Sequence, residues 1–470
     1  MFEGKALKRN RGTTEPINTK QPLIGYAVVG PIGNVSNTVA STLERADRIQ
    51  PAVSVSSLGN MENSGLVDVK PGIPDVIDKI KRCKVSDIAD PSQMKALRLP
   101  DSKTAGKVVR LMYTNDGLAL LALASNAVHK IWKWPRDDRN NPSGKASAFV
   151  VPQLWQPRNG ILMANDVNDN KPAEEYTACI AVYKNDSYMM SASGGKVSLF
   201  NMMTFKVMKT FVSPPPAATF LAFHPQNNNI IAIGMEDSTI LIYNIRVDEV
   251  ETKLKGHRNR IMGLAFSQTL NILVSSGADA QLCVWSIFGW EKKKTTLIQA
   301  PTGRQSPLVG ETKIQFHNDH THLLVAHESQ IAVYDSKLDC LRSWTPKDAL
   351  AAPISCAIYS CDGLVVYATF CDGAVGVFDA NSLRLRCRIV PSAYIPSFSL
   401  SGGNPSNPLV VAAHPSEPNQ IAVGMTDGSV HVVEPSDAEL KWGGTPSQDI
   451  GPSNSSNHSL SSQASELPSR

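Results

Sequence analysis

Between about residues 76 and 442 the chain alternates short β-branched or aromatic runs with clusters of turn residues, and amphipathic helical periodicity is absent. The runs repeat. An apolar pair ending in an aromatic residue, followed by a polar one, occurs at Ile131-Trp132-Lys133, Leu199-Phe200-Asn201, Ile242-Tyr243-Asn244, Val284-Trp285-Ser286, Val333-Tyr334-Asp335 and Val377-Phe378-Asp379, with Val432-Val433-Glu434 as a degraded seventh. Successive positions lie 68, 43, 42, 49, 44 and 55 residues apart. Four short strands and their turns need about 40–45 residues, so each interval holds one four-stranded unit. The two long intervals contain polar, proline-bearing insertions at Pro135–Pro172 and Pro391–Pro408.

About ten residues before each aromatic lies a strand of small residues, such as Ile231-Ala232-Ile233-Gly234, Leu273-Val274-Ser275-Ser276 or Ile421-Ala422-Val423-Gly424. A tight turn follows it, at Glu236-Asp237-Ser238, Ala278-Asp279-Ala280, Cys371-Asp372-Gly373 and Thr426-Asp427-Gly428. Earlier still come Leu221-Ala222-Phe223-His224-Pro225, Leu264-Ala265-Phe266-Ser267 and Val411-Ala412-Ala413-His414-Pro415, whose small residues suit strands crowded around an axis. The predicted fold is all-β, a seven-bladed WD40 β-propeller over residues 76–442 whose first complete unit begins near Val108. Lys84-Val85-Ser86-Asp87 is predicted to supply an outer strand to the last blade, closing the ring between the two ends of the chain. The unit from Gly256 to Trp285 carries the full polar signature of such a blade: His257, Ser275, Asp279 and Trp285 are expected to form a buried hydrogen-bonded chain, carboxylate to imidazole to hydroxyl to indole.

Residues 1–75 and 443–470 are rich in Ser, Asn, Gly, Pro and Gln without periodicity, and both are predicted to be disordered. The charge is balanced, 46 basic against 42 acidic residues for a net +4, which gives no overall field for nucleic acid. No apolar run has the length of a bilayer span, and Met1 to Arg11 is basic and polar with no apolar stretch behind it. Eight scattered cysteines form no C-x-x-C, which points to a reducing compartment, cytosol or nucleus.

Several strings resemble the plant Topless and Topless-related corepressors. They are Lys184-Asn185-Asp186-Ser187-Tyr188, the run Gly194–Lys206, Pro214-Pro215-Pro216-Ala217-Ala218-Thr219, Arg246-Val247-Asp248-Glu249-Val250, His414–Gln420, Leu154-Trp155-Gln156-Pro157 and Val67-Asp68-Val69-Lys70-Pro71. The resemblance runs from about Val67 to Trp442. It implies the second of the family's two propellers and the linker before it. It also implies a non-catalytic scaffold of a nuclear corepressor, serving hormone-responsive gene silencing such as auxin signalling. Its partners would be proteins, namely transcription factors or repressor adaptors and histone deacetylase complexes, with no direct nucleic acid and no membrane. The family's helical region, which captures short Leu-rich repression peptides, has no counterpart in the sequence, so no pocket residue carries over. A truncated product or a fragmentary gene model would account for that.

Other motifs have plainer readings. His317, His320, His322 and His327 with Asp319 invite a metal, but no H-E-x-x-H is formed, and His317 falls at a strand end as His224 and His414 do; no metal is expected. Ser193-Gly194-Gly195-Lys196 lacks the rest of a phosphate loop, and Gly30-Pro31-Ile32-Gly33 has the same weakness. Asp362-Gly363 and Asp372-Gly373 could feed an acid/base pair, yet both suit hairpin turns, so no catalytic residue and no cofactor are predicted. Lys5, Lys8, Arg9 and Arg11 are either part of a nuclear import signal or a solvated tail. Arg258, Arg260 and Arg246 are candidates for a partner-binding face, and Lys292, Lys293 and Lys294 form a separate charged turn. A competing reading, a substrate receptor of a cullin–RING ubiquitin ligase, rests on Leu241–Arg246, which resembles a degenerate adaptor-docking WDxR string.

Overall fold

The computed structural model describes residues 86–442 apart from 102–105, 137–138, 140, 156–178, 194–195, 213–216, 302, 304–305, 397–405 and 437–441. The segments 1–75 and 443–470, predicted to be disordered, lie outside the described residues, as do Gly30–Gly33 and the basic group Lys5 to Arg11.

Seven antiparallel sheets follow one another along the chain. Each is built on four antiparallel strands, here lettered a to d from the axis outward, consecutive in the chain in blades 1 to 6. Blade 4 shows the pattern: a is Ile261–Ser267, b Ile272–Gly277, c Gln281–Ser286 and d Lys292–Leu297. The seven a strands are Val108–Tyr113, Cys179–Val182, Ala218–Phe223, Ile261–Ser267, Thr312–Phe316, Ile354–Tyr359 and Pro408–Ala413. Each packs against the next, and the a strand of blade 7 packs against that of blade 1, so the ring is closed. This is the predicted seven-bladed architecture, nearly all strand.

Burial explains the sequence pattern. The b strands face neighbouring blades on both sides and are buried throughout in Ala119–Ala124, Ile272–Gly277 and Val365–Phe370, which is why they read as small apolar runs. The c strands bring Trp132, Phe200, Trp285, Tyr334 and Phe378 into the core, while Tyr243 stays half-buried. The core clusters bridge blades: Ile230, Ile242, Ile261 and Trp285 share one across blades 3 and 4. The b–c turns repeat a device. Asp237, Asp279, Asp372 and Asp427 each accept the backbone N–H two residues on, at 2.9–3.2 Å. The residue between takes a positive φ in Ser238 (70°), Ala280 (60°), Gly373 (94°) and Gly428 (82°).

The ring does not close as the sequence reading places it. Ser86–Ile88 pairs in parallel with strand d of blade 6, matching Asp87 with Arg388 and Ile88 with Ile389. The fourth strand of blade 7 is instead Met94–Arg98, antiparallel to Val430–Pro435, with Ala96 opposite Val433. The reason lies in side-chain alternation. Met94 is buried in the cluster shared by blades 6 and 7, and Leu97 packs on the cluster shared by blades 7 and 1. Lys84–Asp87 offers only Val85 as an apolar residue. A 3₁₀ turn at Pro91–Gln93, with Asp90 and Gln93 in a reciprocal cap, separates the two strands.

Candidate functional site: the blade 4 tetrad and the two faces

Blade 4 brings the four tetrad residues together. His257, in the connection from strand d of blade 3, places Nδ1 3.2 Å from Asp279 Oδ1 and Nε2 2.8 Å from Ser275 Oγ. Trp285 Nε1 donates to the same Ser275 oxygen at 2.9 Å. Ser275 has no exposure, and the His257 and Trp285 side chains are buried. Two glycines leave the room required: a Cβ on Gly277 would lie 2.5 Å from both His257 Nδ1 and Asp279 Oδ1, and one on Gly256 would lie 2.8 Å from the Trp285 ring. Burial pulls the His257 imidazole down, but bonding to Asp279 and the nearby Cys283 outweigh it and lift the group to about 9. Burial raises the Asp279 carboxyl, and its bonds to His257 and the Arg258 amide overcome that and hold it below the usual range.

The tetrad also shapes the surface. Asp279 Oδ2 accepts the backbone N–H of Arg258 at 2.7 Å, so the buried chain fixes the loop that displays exposed Arg258 and half-buried Arg260. This loop shares its face of the ring with the b–c turns. Arg246 lies on the other face, in the c–d turn of blade 3, where the Asn244 side chain caps its amide at 3.1 Å. Strand d of that blade, Glu249–Lys255, separates Arg246 from Arg258 by about 20 Å. The three arginines therefore do not form one surface. None has an ion pair among the described residues. Lys292, Lys293 and Lys294 line the exposed outer strand of blade 4, where lysines discourage edge-to-edge pairing.

The histidine cluster serves the turns. His317 Nδ1 and His322 Nδ1 approach Asp319 Oδ2 at 3.0 and 2.5 Å. Yet His317 Nδ1 also accepts the Asp319 amide at 3.2 Å, and Nε2 sits 3.0 Å from the Gly363 carbonyl, so both its nitrogens are engaged. The His320 carbonyl accepts from Ser267 Oγ at 2.7 Å, and His327 Nδ1 lies 2.8 Å from Ser329 Oγ. His317, Asp319 and His322 place three possible donor atoms within 4.8 Å of one another on a partly exposed turn, and the backbone bonds at both His317 nitrogens compete with any metal there. The bonding of His317 was not legible in the sequence. His414 repeats it, with Nδ1 accepting from Ser416 and Glu417 and Nε2 3.1 Å from the Gly117 carbonyl. His224 accepts from Gln226 and Asn227 in the same way. His317 and His414 each pin the end of strand a to the a–b turn of the following blade. The available signal was a histidine just after strand a in units 3, 5 and 7, with Asp116-Gly117 and Asp362-Gly363 in the turns that His414 and His317 reach.

Ser193 and Lys196 pair across strands b and c of blade 2, while Gly194 and Gly195 lie outside the described residues. Asp362 and Asp372 sit at opposite ends of Val365–Phe370 and bind Leu364 and Ala374 amides, so they are not brought together as an acid/base pair.

The four-stranded blades, the small-residue b strands and the His-Ser-Asp-Trp chain define a WD40-type β-propeller. A family model described as the IFT140 first beta-propeller matches residues 175–382. The chain is 66% identical to Topless-related protein 2 of Oryza sativa subsp. japonica over 452 residues, covering 96% of this chain and 40% of that protein. It is 54% identical to Topless of Arabidopsis thaliana over 429 residues, 90% of this chain and 37% of that protein. Topless-related protein 2 of Arabidopsis thaliana is 57% identical over 403 residues, 85% and 35% respectively. The chain is thus related to the Topless and Topless-related proteins, and it spans about two-fifths of the length of these curated relatives.

Proposed function

We propose that the protein is a non-catalytic interaction scaffold of a nuclear transcriptional corepressor acting in hormone-responsive gene silencing. Identity to Topless-related sequences across nearly the whole propeller carries this reading. The geometry supports it: a closed ring displays exposed Arg246 and Arg258 on opposite faces, and His317, His414 and Asp372 are engaged in backbone bonds that hold the turns. The partners proposed are proteins, transcription factors or repressor adaptors and histone deacetylase complexes. Among the described residues no helix is long and apolar enough to cross a membrane. The test tethers the chain to a reporter promoter, alone and fused to the family's helical region. Repression, or altered repression by the fusion, supports the proposal; reporter output unchanged in both formats overturns it.

A further inference from the structure

The seven a strands form the wall of the axial channel, and they hold two charged side chains, Arg110 in blade 1 and Lys313 in blade 5, with no acidic residue on any of the seven. Both cations line a cavity of about 360 Å³ that opens on the same face as Arg258 and is shared by blades 1, 5, 6 and 7. They are incompletely used. Arg110 Nη1 donates to the Val109 carbonyl at 2.8 Å and the guanidinium lies 5.7 Å from the Phe220 ring, but its buried Nε has no partner. Lys313 Nζ donates once, to the Ser355 carbonyl at 2.9 Å, which leaves two of its three donors. Neither has an ion pair among the described residues. At the rim of the same cavity stand two exposed carboxylates, Glu311 and Glu328. Both cations face one recessed cavity with donors to spare, and an oxyanion entering it would accept charge-assisted hydrogen bonds from them.

We infer that this cavity is an anion site that takes the carboxylate of an acidic side chain on an extended partner segment, with flanking basic residues of that segment meeting Glu311 and Glu328. The guanidinium supplies the directional donors and the ammonium a compact charge. A volume of this size holds the equivalent of about ten waters, room for one side chain and the backbone around it. The site does not depend on the corepressor reading, because binding is measured on purified protein and repression in cells.

The test titrates the full chain at low ionic strength with the capped peptide Lys-Gly-Glu-Gly-Lys, its Gln counterpart and inorganic phosphate. The Glu peptide should bind saturably, about tenfold tighter than the Gln peptide, and Arg110→Met with Lys313→Met should abolish the difference. Glu311→Gln with Glu328→Gln, on exposed residues whose replacement leaves folding intact, should weaken the peptide and strengthen phosphate, each by about threefold. Equal binding of the two peptides, undiminished binding by the doubly Met-substituted chain, or rim substitutions without effect would overturn the site. Saturable phosphate with no peptide binding would overturn the peptide assignment. Should the Met pair fail to fold, the rim pair decides the question alone.

Discussion

Ser275 and Ser276 are adjacent, both without solvent exposure, and carry different loads. Ser275 Oγ joins His257 and Trp285, whereas Ser276 Oγ makes one bond, 2.7 Å to the Thr312 carbonyl. Replacing Ser275 by alanine strands two buried nitrogens in a site closed to water. At about 1–3 kcal/mol for each stranded group, the loss is roughly 2–6 kcal/mol. Ser276→Ala removes a single bond and should cost about 1 kcal/mol. The ring from Ser86 to Pro435 spans about 350 residues, and at about 2 cal/mol/K per residue its melting entropy is about 0.7 kcal/mol/K. The expected fall in Tm is therefore about 3–9 °C for Ser275→Ala and about 1–2 °C for Ser276→Ala. Calorimetry on the two variants side by side measures this. If Ser275→Ala melts no lower than Ser276→Ala, the polar chain in blade 4 is not a stability element and the reasoning fails.

The same geometry yields three further outcomes. Gly363→Ala should destabilise by about 2–4 kcal/mol, because Gly363 has φ 72° and its new Cβ would lie 2.2 Å from His317 Nε2. Gly289→Ala, at φ 81° with open space around it, should cost only about 1 kcal/mol; equal losses in urea titrations would remove the inter-blade role of His317. Stability should peak near pH 6.5 and fall on both sides. His257, lifted to about 9, contributes fully below its unfolded value and loses that contribution as pH rises through 9, while His431, depressed by burial to about 4, makes stability fall as pH drops from 6.5 toward 4. Thermal melts across that range should lose the alkaline limb in His257→Gln and much of the acid limb in His431→Gln, and limbs unchanged in either variant would contradict the assignment. Met94→Asp puts a charge into the cluster shared by blades 6 and 7 and should cost 4 kcal/mol or more, seen as rapid proteolysis; protection equal to wild type would refute the buried position (the figure is about that of an unpaired buried charge).

The blades were legible because burial writes itself into sequence. Strand b must be small and apolar between two neighbours, and strand c must end on a core aromatic, so Val274 and Trp285 announce their positions. The tetrad residues were equally legible, since each is a polar residue that the turn and spacing of one blade bring to a fixed place. Closure was not, because Ser86–Ile88 and Met94–Arg98 are both short and weakly patterned and only the surfaces they meet distinguish them. The split of Arg246 from Arg258 escaped for a related reason: which end of a strand a turn occupies depends on strand direction in the assembled sheet, not on residue type. Arg110 and Lys313 were missed because a single charge in an apolar strand has meaning only when seven strands are placed around one axis.

The closed ring is the frame on which every site depends, and engineered cross-linking tests it most directly. In the full chain, Ala96→Cys with Val433→Cys should form a disulfide, mapped by mass spectrometry of the oxidised protein, because these residues are opposed in antiparallel register. Asp87→Cys with Val433→Cys should not, because Asp87 pairs with Arg388 of blade 6. The reverse result, a bond from position 87 and none from position 96, would contradict the closure of blade 7 by Met94–Arg98.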